Sequence, residues 1–316
     1  MVSRLIRSCC RWTLALLLTA AAVSAVQAAA SCPLVIAAPT AAAPQPGERD
    51  RGLLWRITRD GHSSYLFGTL HVGKPAWRSL GPRTGAALRA SDVLALEIDP
   101  SDPALLQAMA ELRPPQPLPE TLQQRLDRAF ERACVASEAL ANLHPLLQAS
   151  TLTVLEARWL GMDPGHAMEQ LLAAQARAAG RRVVSLESAA MQTRALVPDD
   201  EAEARDLLDQ SLAQLEDRSA RRVLQRLATA WEQGDLAALE DYEHWCACVA
   251  DDADRAFLRK LNDERNPGLA DGIEAQHRQG RRVFAAVGAL HMTGPQALPT
   301  LLARRGFKVE RIGFAR

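Results

Sequence analysis

Two copies of one short pattern stand far apart in this chain. Leu66-Phe67-Gly68-Thr69-Leu70-His71 and Ala286-Val287-Gly288-Ala289-Leu290-His291 each carry a histidine three residues after a glycine that closes an apolar run. Two further apolar runs end in a carboxylate, Leu94-Ala95-Leu96-Glu97 and Val184-Ser185-Leu186-Glu187. Two neutral imidazoles with one or two carboxylates are a donor set for Zn²⁺, Mn²⁺, Co²⁺ or Fe²⁺. An ion held there would lower the pKa of bound water and polarise a carbonyl, with a spare carboxylate as general base. His71, Glu97 and His291 are therefore the candidate metal ligands. Glu97 and Glu187 are candidate bases, and Arg265 is a candidate for stabilising a developing oxyanion.

Such residues work together only if their strands lie parallel, because ligands collect outside the carboxyl ends of parallel strands. Leu53 to Ile57 reads as a strand, Asp60-Gly61 as a hairpin turn, and Tyr65 to Gly68 as the returning strand. Asp92 to Ile98, Arg182 to Glu187, Val283 to Val287 and Phe307 to Ile312 read as four more. A short helix is expected over Thr84–Ala90, and another from Pro295 to Arg305 closed by Gly306. Between about 103 and 279 helical periodicity dominates: Leu122, Leu126, Phe130 and Cys134 make one stripe, Leu208, Leu212 and Leu215 another. Val223, Leu224, Leu227 and Trp231 form a third, stopped by Gly234, with Asp235 capping the next helix. The expectation is a mixed α/β fold: a largely parallel sheet built from both chain ends, with a large helical insertion between them.

Composition narrows the partners. The 316 residues carry 37 basic and 37 acidic side chains, so no broad electrostatic footprint for nucleic acid is expected. Residues 1–30 read as a signal peptide: Arg4, Arg7 and Arg11 precede the apolar run Thr13 to Val26, and small residues follow at Ala28, Ala29 and Ala30. A retained N-terminal anchor is the alternative. A lipid anchor at Cys32 is a third, on a distant likeness to a lipobox. Residues 31–50 read as a flexible Pro/Ala-rich leader and 51–316 as the folded domain. The product is expected to be exported, either periplasmic or secreted. Export also suits disulfides among Cys32, Cys134, Cys246 and Cys248, in a pairing the sequence leaves open. Cys246-x-Cys248 beside His244 is not a usual zinc spacing. The other histidines, His62, His144, His166 and His277, read as surface or cap residues. No Gly-x-Ser-x-Gly elbow, Ser-x-x-Lys, His-Glu-x-x-His, dinucleotide fingerprint or Walker loop occurs, so metal is the remaining route to a hydrolase.

Over roughly Leu53 to Ile312 the chain resembles the TraB/GumN family, which includes the TIKI proteins. The resemblance rests on Leu54-Trp55, Tyr65 to His71, Leu96-Glu97, Leu186-Glu187 with Gln192, Trp231 with Gly234-Asp235, Arg265-Asn266, Ala286 to Gly294, Leu301-Leu302 and Gly306 to Val309. It implies a TIKI-like divalent-metal-dependent hydrolase of peptide or protein substrates, with Mn, Co or Zn as cofactor, and carries over to His71, Glu97 and His291. Arg265, Asn266 and Glu187 are family-like positions of less settled role. One departure is Gly165-His166-Ala167-Met168-Glu169, where relatives show Gly-Val-Asp and Glu169 stands as a substitute acid. Two other readings stay open: a non-catalytic envelope or polysaccharide-assembly factor that binds metal, haem or a protein partner, and an esterase or lactone hydrolase using the same residues.

Overall fold

The computed structural model describes residues 49–112, 117–246 and 251–314, with the short pieces 32–33, 35–37 and 248–249. The expected signal peptide and most of the leader lie outside the described residues. The chain divides into residues 1–33 and 34–316, and the fold below is that of the second unit. Among the described residues no helix is long and apolar enough to cross a membrane.

Among the described residues six strands form one sheet: β1 (Leu53–Arg59), β2 (His62–Thr69), β3 (Val93–Leu96), β4 (Arg182–Ser185), β5 (Val283–Gly288) and β6 (Lys308–Arg311). Asp60 and Gly61, both at positive φ, make the two-residue turn that joins β1 to β2 with Arg59 opposite His62. That conformation suits the twist of antiparallel strands, and Asp-Gly tolerates it. The spatial order is β4-β3-β5-β2-β1-β6. β1 runs antiparallel to β2 and β6, whereas β2, β5, β3 and β4 form an unbroken parallel block. The four runs that end in His71, His291, Glu97 and Glu187 are therefore neighbours pointing the same way. β3 is buried throughout and β5 up to its final glycine, as their near-continuous apolar sequences require.

Among the described residues two cores serve this arrangement. One lies against the sheet and includes Leu54, Phe67, Leu94, Phe284, Ala286 and Trp231. The other is made by the helices Glu120–Ala133, Pro145–Leu155 and Glu201–Glu216. Their stripes Leu126 and Phe130, Leu146 and Leu152, and Leu208, Leu212 and Leu215 close on each other. Trp231 joins the insertion to the sheet. Its indole N–H donates to the Gly68 carbonyl at 2.7 Å, and its ring packs near Phe67 and Trp77. A Cβ at Gly52 would lie 2.9 Å from that indole, and Gly52 has φ +81°, so glycine is required there on both counts.

Three expectations need correction. The last helix begins at Leu298, not Pro295: Gly294 at φ +80° keeps the preceding stretch in a turn, and Pro299 is the proline of the first helical turn. His277 is fully buried rather than a surface residue. It faces inward from the helix Asn266–Arg278, accepts from the Ser64 hydroxyl at 2.8 Å and donates to the Arg59 carbonyl at 3.1 Å, and His62 stacks on it. His166 is also buried, with Nε2 3.0 Å from the Ala37 carbonyl. His144 does act as a cap, its Nδ1 accepting from the Leu146 amide.

Candidate active site

The two Gly-x-x-His motifs reach the same end of the sheet one residue out of step. Gly68 pairs with Val287, and Gly288 pairs with Thr69. Neither glycine has positive φ, so neither is needed for a tight turn. What each contributes is the missing side chain. A Cβ on Gly68 would press on the Ala289 backbone at 3.2 Å, so that glycine makes room for the neighbouring chain. A Cβ on Gly288 would stand 3.1 Å from Glu97 Oε1, 3.5 Å from His291 Cδ2 and 3.9 Å from His71 Nε2. The three candidate ligands thus share one small space, left open by Gly288.

Each histidine is tethered through Nδ1. His291, in the short turn Ala289–Met292 after β5, has Nδ1 2.7 Å from Asn266 Oδ1. The Asn266 amide nitrogen already donates to the carbonyls of Gln296 and His291, at 2.8 and 3.3 Å. Its oxygen therefore faces the ring, His291 Nδ1 is the donor, and Nε2 is left as a lone pair. That lone pair lies 3.7 Å from Glu97 Oε1. His71 is tied instead to a carboxylate, Glu169 Oε1, at 3.1 Å. Glu169 sits in the first turn of the helix Met168–Ala178, and the Thr69 hydroxyl donates to the same oxygen. Glu169 Oε2 is buried with no hydrogen-bond partner among the described residues.

Arg265, just before the helix Asn266–Arg278, knits the two strand-terminal glutamates together. Its Nε and Nη2 donate to Glu187 Oε1 and Oε2 at 2.9 and 2.5 Å, and Nη2 also reaches Glu97 Oε2 at 2.6 Å. Nη1 is held by the Leu261 carbonyl. Glu97 is completed by the Gly288 N–H, 2.5 Å from Oε1, and the Glu187 amide donates to the Glu97 carbonyl at 2.9 Å. Glu187 and Arg265 therefore enter the site as a closed ion pair rather than as a free base and a free cation.

Electrostatics follow from this wiring. Burial alone would raise the Glu97 pKa. Positive charge on His291, His71 and Arg265, with the Gly288 N–H, overcomes burial and holds the value at about 2. Burial pushes His291 down to about 4, with Arg265 and His71 assisting and Glu97 resisting. For Arg265 burial lowers the pKa, and the Glu187 and Glu97 carboxylates outweigh it and raise it. Glu169 beside His71 pulls that pKa up to about 9 against desolvation, and Glu97 adds to the pull. The His71 side chain is 64% exposed, so solvent damps that effect. Near neutral pH the site holds an ionised Glu97 and a neutral His291.

The donor chemistry suits the divalent ion that the resemblance implies, because two imidazoles and a carboxylate meet where Gly288 has no side chain. The Asn266–His291 bond is of the kind that would orient a ligating imidazole. Among the described residues no three or more His, Cys, Asp or Glu side chains are placed as a ready-made metal group. Glu97 is drawn toward Arg265 and the Gly288 amide instead. Two site residues had no individual role in the sequence reading. Glu169 was visible only as a departure from a family pattern, and Asn266 only as a family-like neighbour of Arg265.

A mixed α/β sheet that collects histidines and glutamates at the carboxyl ends of four parallel strands defines the class of protein. The model of the TraB/PrgY/gumN family matches residues 53–311, and the chain belongs to that family. No curated protein and no solved structure matches it.

Proposed function

We propose that this chain is a divalent-metal-dependent hydrolase of peptide substrates, acting outside the cytoplasm. The observation that carries the reading is the convergence of His71, Glu97 and His291 on the space left by Gly288. In this reading His71 Nε2, His291 Nε2 and a Glu97 oxygen hold the ion, which when bound supplies a polarised carbonyl and an acidified water. Asn266 keeps the His291 lone pair turned inward. Arg265 fixes Glu97, and Glu187 fixes Arg265 through both of its oxygens, so Glu187 acts as a positioning residue here. Among the described residues Glu169 Oε2 is the one oxygen of the three glutamates left without a hydrogen-bond partner, which makes Glu169 the candidate proton acceptor. Export is supported by the basic, apolar and small-residue order of residues 1–30. The metal is Mn, Co or Zn.

The test uses the chain purified without chelator. Metal content is measured by mass spectrometry beside a His71→Ala/His291→Ala variant, and both proteins are offered a peptide library with Mn²⁺, Co²⁺ or Zn²⁺, with and without chelator. About one ion per chain in the parent, lost in the variant, with chelator-sensitive cleavage, is the expected result. Cleavage that ignores chelator, or a double variant that keeps its metal and activity, overturns it. The closed Arg265 bridge favours one rival, a non-catalytic envelope or assembly factor that binds metal, haem or a partner; it predicts no turnover with any metal. Ester and lactone substrates in the same assay separate an esterase from a peptidase.

A further inference from the structure

Away from the strand ends, a second chemistry lies beyond the short helix Tyr242–Trp245. Cys246 and Cys248 are joined by a disulfide across one intervening residue. A cross-link stabilises a fold mainly by restricting the unfolded chain, and the gain grows with the loop it closes. A loop this short gains least, so stabilising the fold gives little account of the bond.

Its surroundings match what thiol–disulfide exchange requires. The two sulfurs are unequally accessible. Cys246 is 2% exposed, whereas Cys248 is partly exposed, so an incoming thiolate is steered to Cys248 Sγ. The departing sulfur is then that of Cys246, and it already accepts the Cys248 backbone N–H at 3.1 Å. A hydrogen bond to a leaving thiolate stabilises it, and a better leaving group departs faster. Tyr242 Oη lies 3.6 Å from Cys248 Sγ. Burial pushes the Tyr242 pKa up to about 12, so it stays a phenol, able to donate to the second thiolate once that forms.

We propose that Cys246–Cys248 is a redox-exchange site whose partner is a dithiol. A partner thiolate attacks Cys248 Sγ, forming a mixed disulfide as the Cys246–Cys248 bond breaks, and Cys246 leaves as a thiolate and takes up a proton. The partner's second thiolate attacks its own sulfur in the mixed disulfide, and Cys248 leaves and is protonated. This chain gains two electrons and two protons, the partner dithiol becomes a disulfide, and the reverse sequence reoxidises the site. The proposal is independent of the metal reading, since it uses none of the same residues.

Cys134 is also disulfide-bonded and provides an internal reference. The full chain is equilibrated in stepped ratios of reduced to oxidised dithiothreitol, alkylated and digested, and each cysteine peptide is quantified by mass spectrometry while circular dichroism follows the fold. The expected result is half-reduction of Cys246–Cys248 at a ratio at least tenfold more oxidising than Cys134 needs, with the dichroism unchanged. Co-reduction of all the cysteines, or reduction only as the dichroism is lost, overturns the proposal. A Cys246→Ser/Cys248→Ser chain is expected to melt within about 2 °C of the parent, and a fall of 8 °C or more returns the bond to a purely structural role.

Discussion

His71 and His291 arrive at the site by the same four-residue pattern, yet they occupy opposite environments. His291 is sealed: its ring is buried, its Nδ1 is fixed by the neutral amide of Asn266, and the Glu97–Arg265–Glu187 network lies alongside. His71 is open: its ring faces solvent and its Nδ1 is matched to the charged Glu169. The glycines differ in the same way, Gly68 making space for backbone and Gly288 making space for the donors. A sequence motif thus fixes where a histidine leaves the sheet, while its charge state is set by how deeply the rest of the fold buries it and which charges are packed around it. One consequence is a division of labour, with a rigid neutral imidazole on one side and an accessible imidazole able to carry a proton on the other.

The sealed side is where breaking a contact has the largest effect. Arg265→Ala leaves two buried carboxylates facing each other without their counter-charge. Removing one member of a buried ion network costs about 3–5 kcal/mol. Urea denaturation of the variant is expected to show that loss, with one of the glutamates taking up a proton to limit it. A loss below about 1 kcal/mol shows that the network is not held together as described.

Acid probes the same side without a mutation. In chelator-treated protein, His291 has a folded pKa near 4 against an ordinary 6.5, so between those values the unfolded chain binds a proton that the folded chain refuses. Its contribution is complete above pH 6.5 and is lost as pH falls through about 4. Glu97, depressed to about 2 from 4.5, is also a low-folded-pKa group: its contribution is complete above 4.5 and lost toward pH 2. Stability is therefore expected to decline on acidification from pH 6.5 down, by on the order of 3 kcal/mol by pH 4. Denaturation midpoints at pH 7, 5.5 and 4.5 measure it, and a flat profile contradicts the sealed environment of His291.

Asn266→Ala comes next. It takes the Asn266 acceptor from the His291 ring, leaving the Asn262 backbone, and takes a donor from two backbone carbonyls in a fully buried place. Unsatisfied buried groups cost about 1–3 kcal/mol, and water admitted by the smaller side chain offsets part of that. The sharper readout is nuclear magnetic resonance of His291: the variant is expected to populate both tautomers, where the parent holds the proton on Nδ1.

The parallel block was legible because it depends on local signals. Asp60-Gly61 specifies a hairpin, apolar runs bounded by glycine or a carboxylate specify buried strands, and parallel order then brings four strand ends together. The wiring was not legible. Arg265 meets Glu187 and Glu97 across 78 and 168 residues, and Glu169 meets His71 across a helix insertion whose path no periodicity reports. His277 shows the same limit from the other direction. Beside a helix end it resembles a cap, and only the packing of the helix Asn266–Arg278 against Ser64 buries it. Spacing tells which side chains leave an element together. It is silent on which distant element supplies their partners.

The smallest effect belongs to the open side. Glu169→Gln keeps an oxygen for the Thr69 hydroxyl, so the fold is expected to change by less than about 1 kcal/mol. What it removes is the negative charge that is the main cause of the raised His71 pKa. A group whose folded pKa lies above its ordinary value contributes stability below that ordinary value and loses it as pH rises through the folded one. In the parent, the His71 contribution is complete below 6.5 and gone above about 9, and in the variant that window closes. A ¹⁵N titration of the chelator-treated protein is expected to show His71 falling toward 6.5 in the variant while His291 keeps its depressed value. If both imidazoles shift together, the two sides are one coupled unit and the contrast between them is lost. If only His71 moves, the raised value belongs to the Glu169 side, since His71 still carries its proton near pH 4 where His291 titrates.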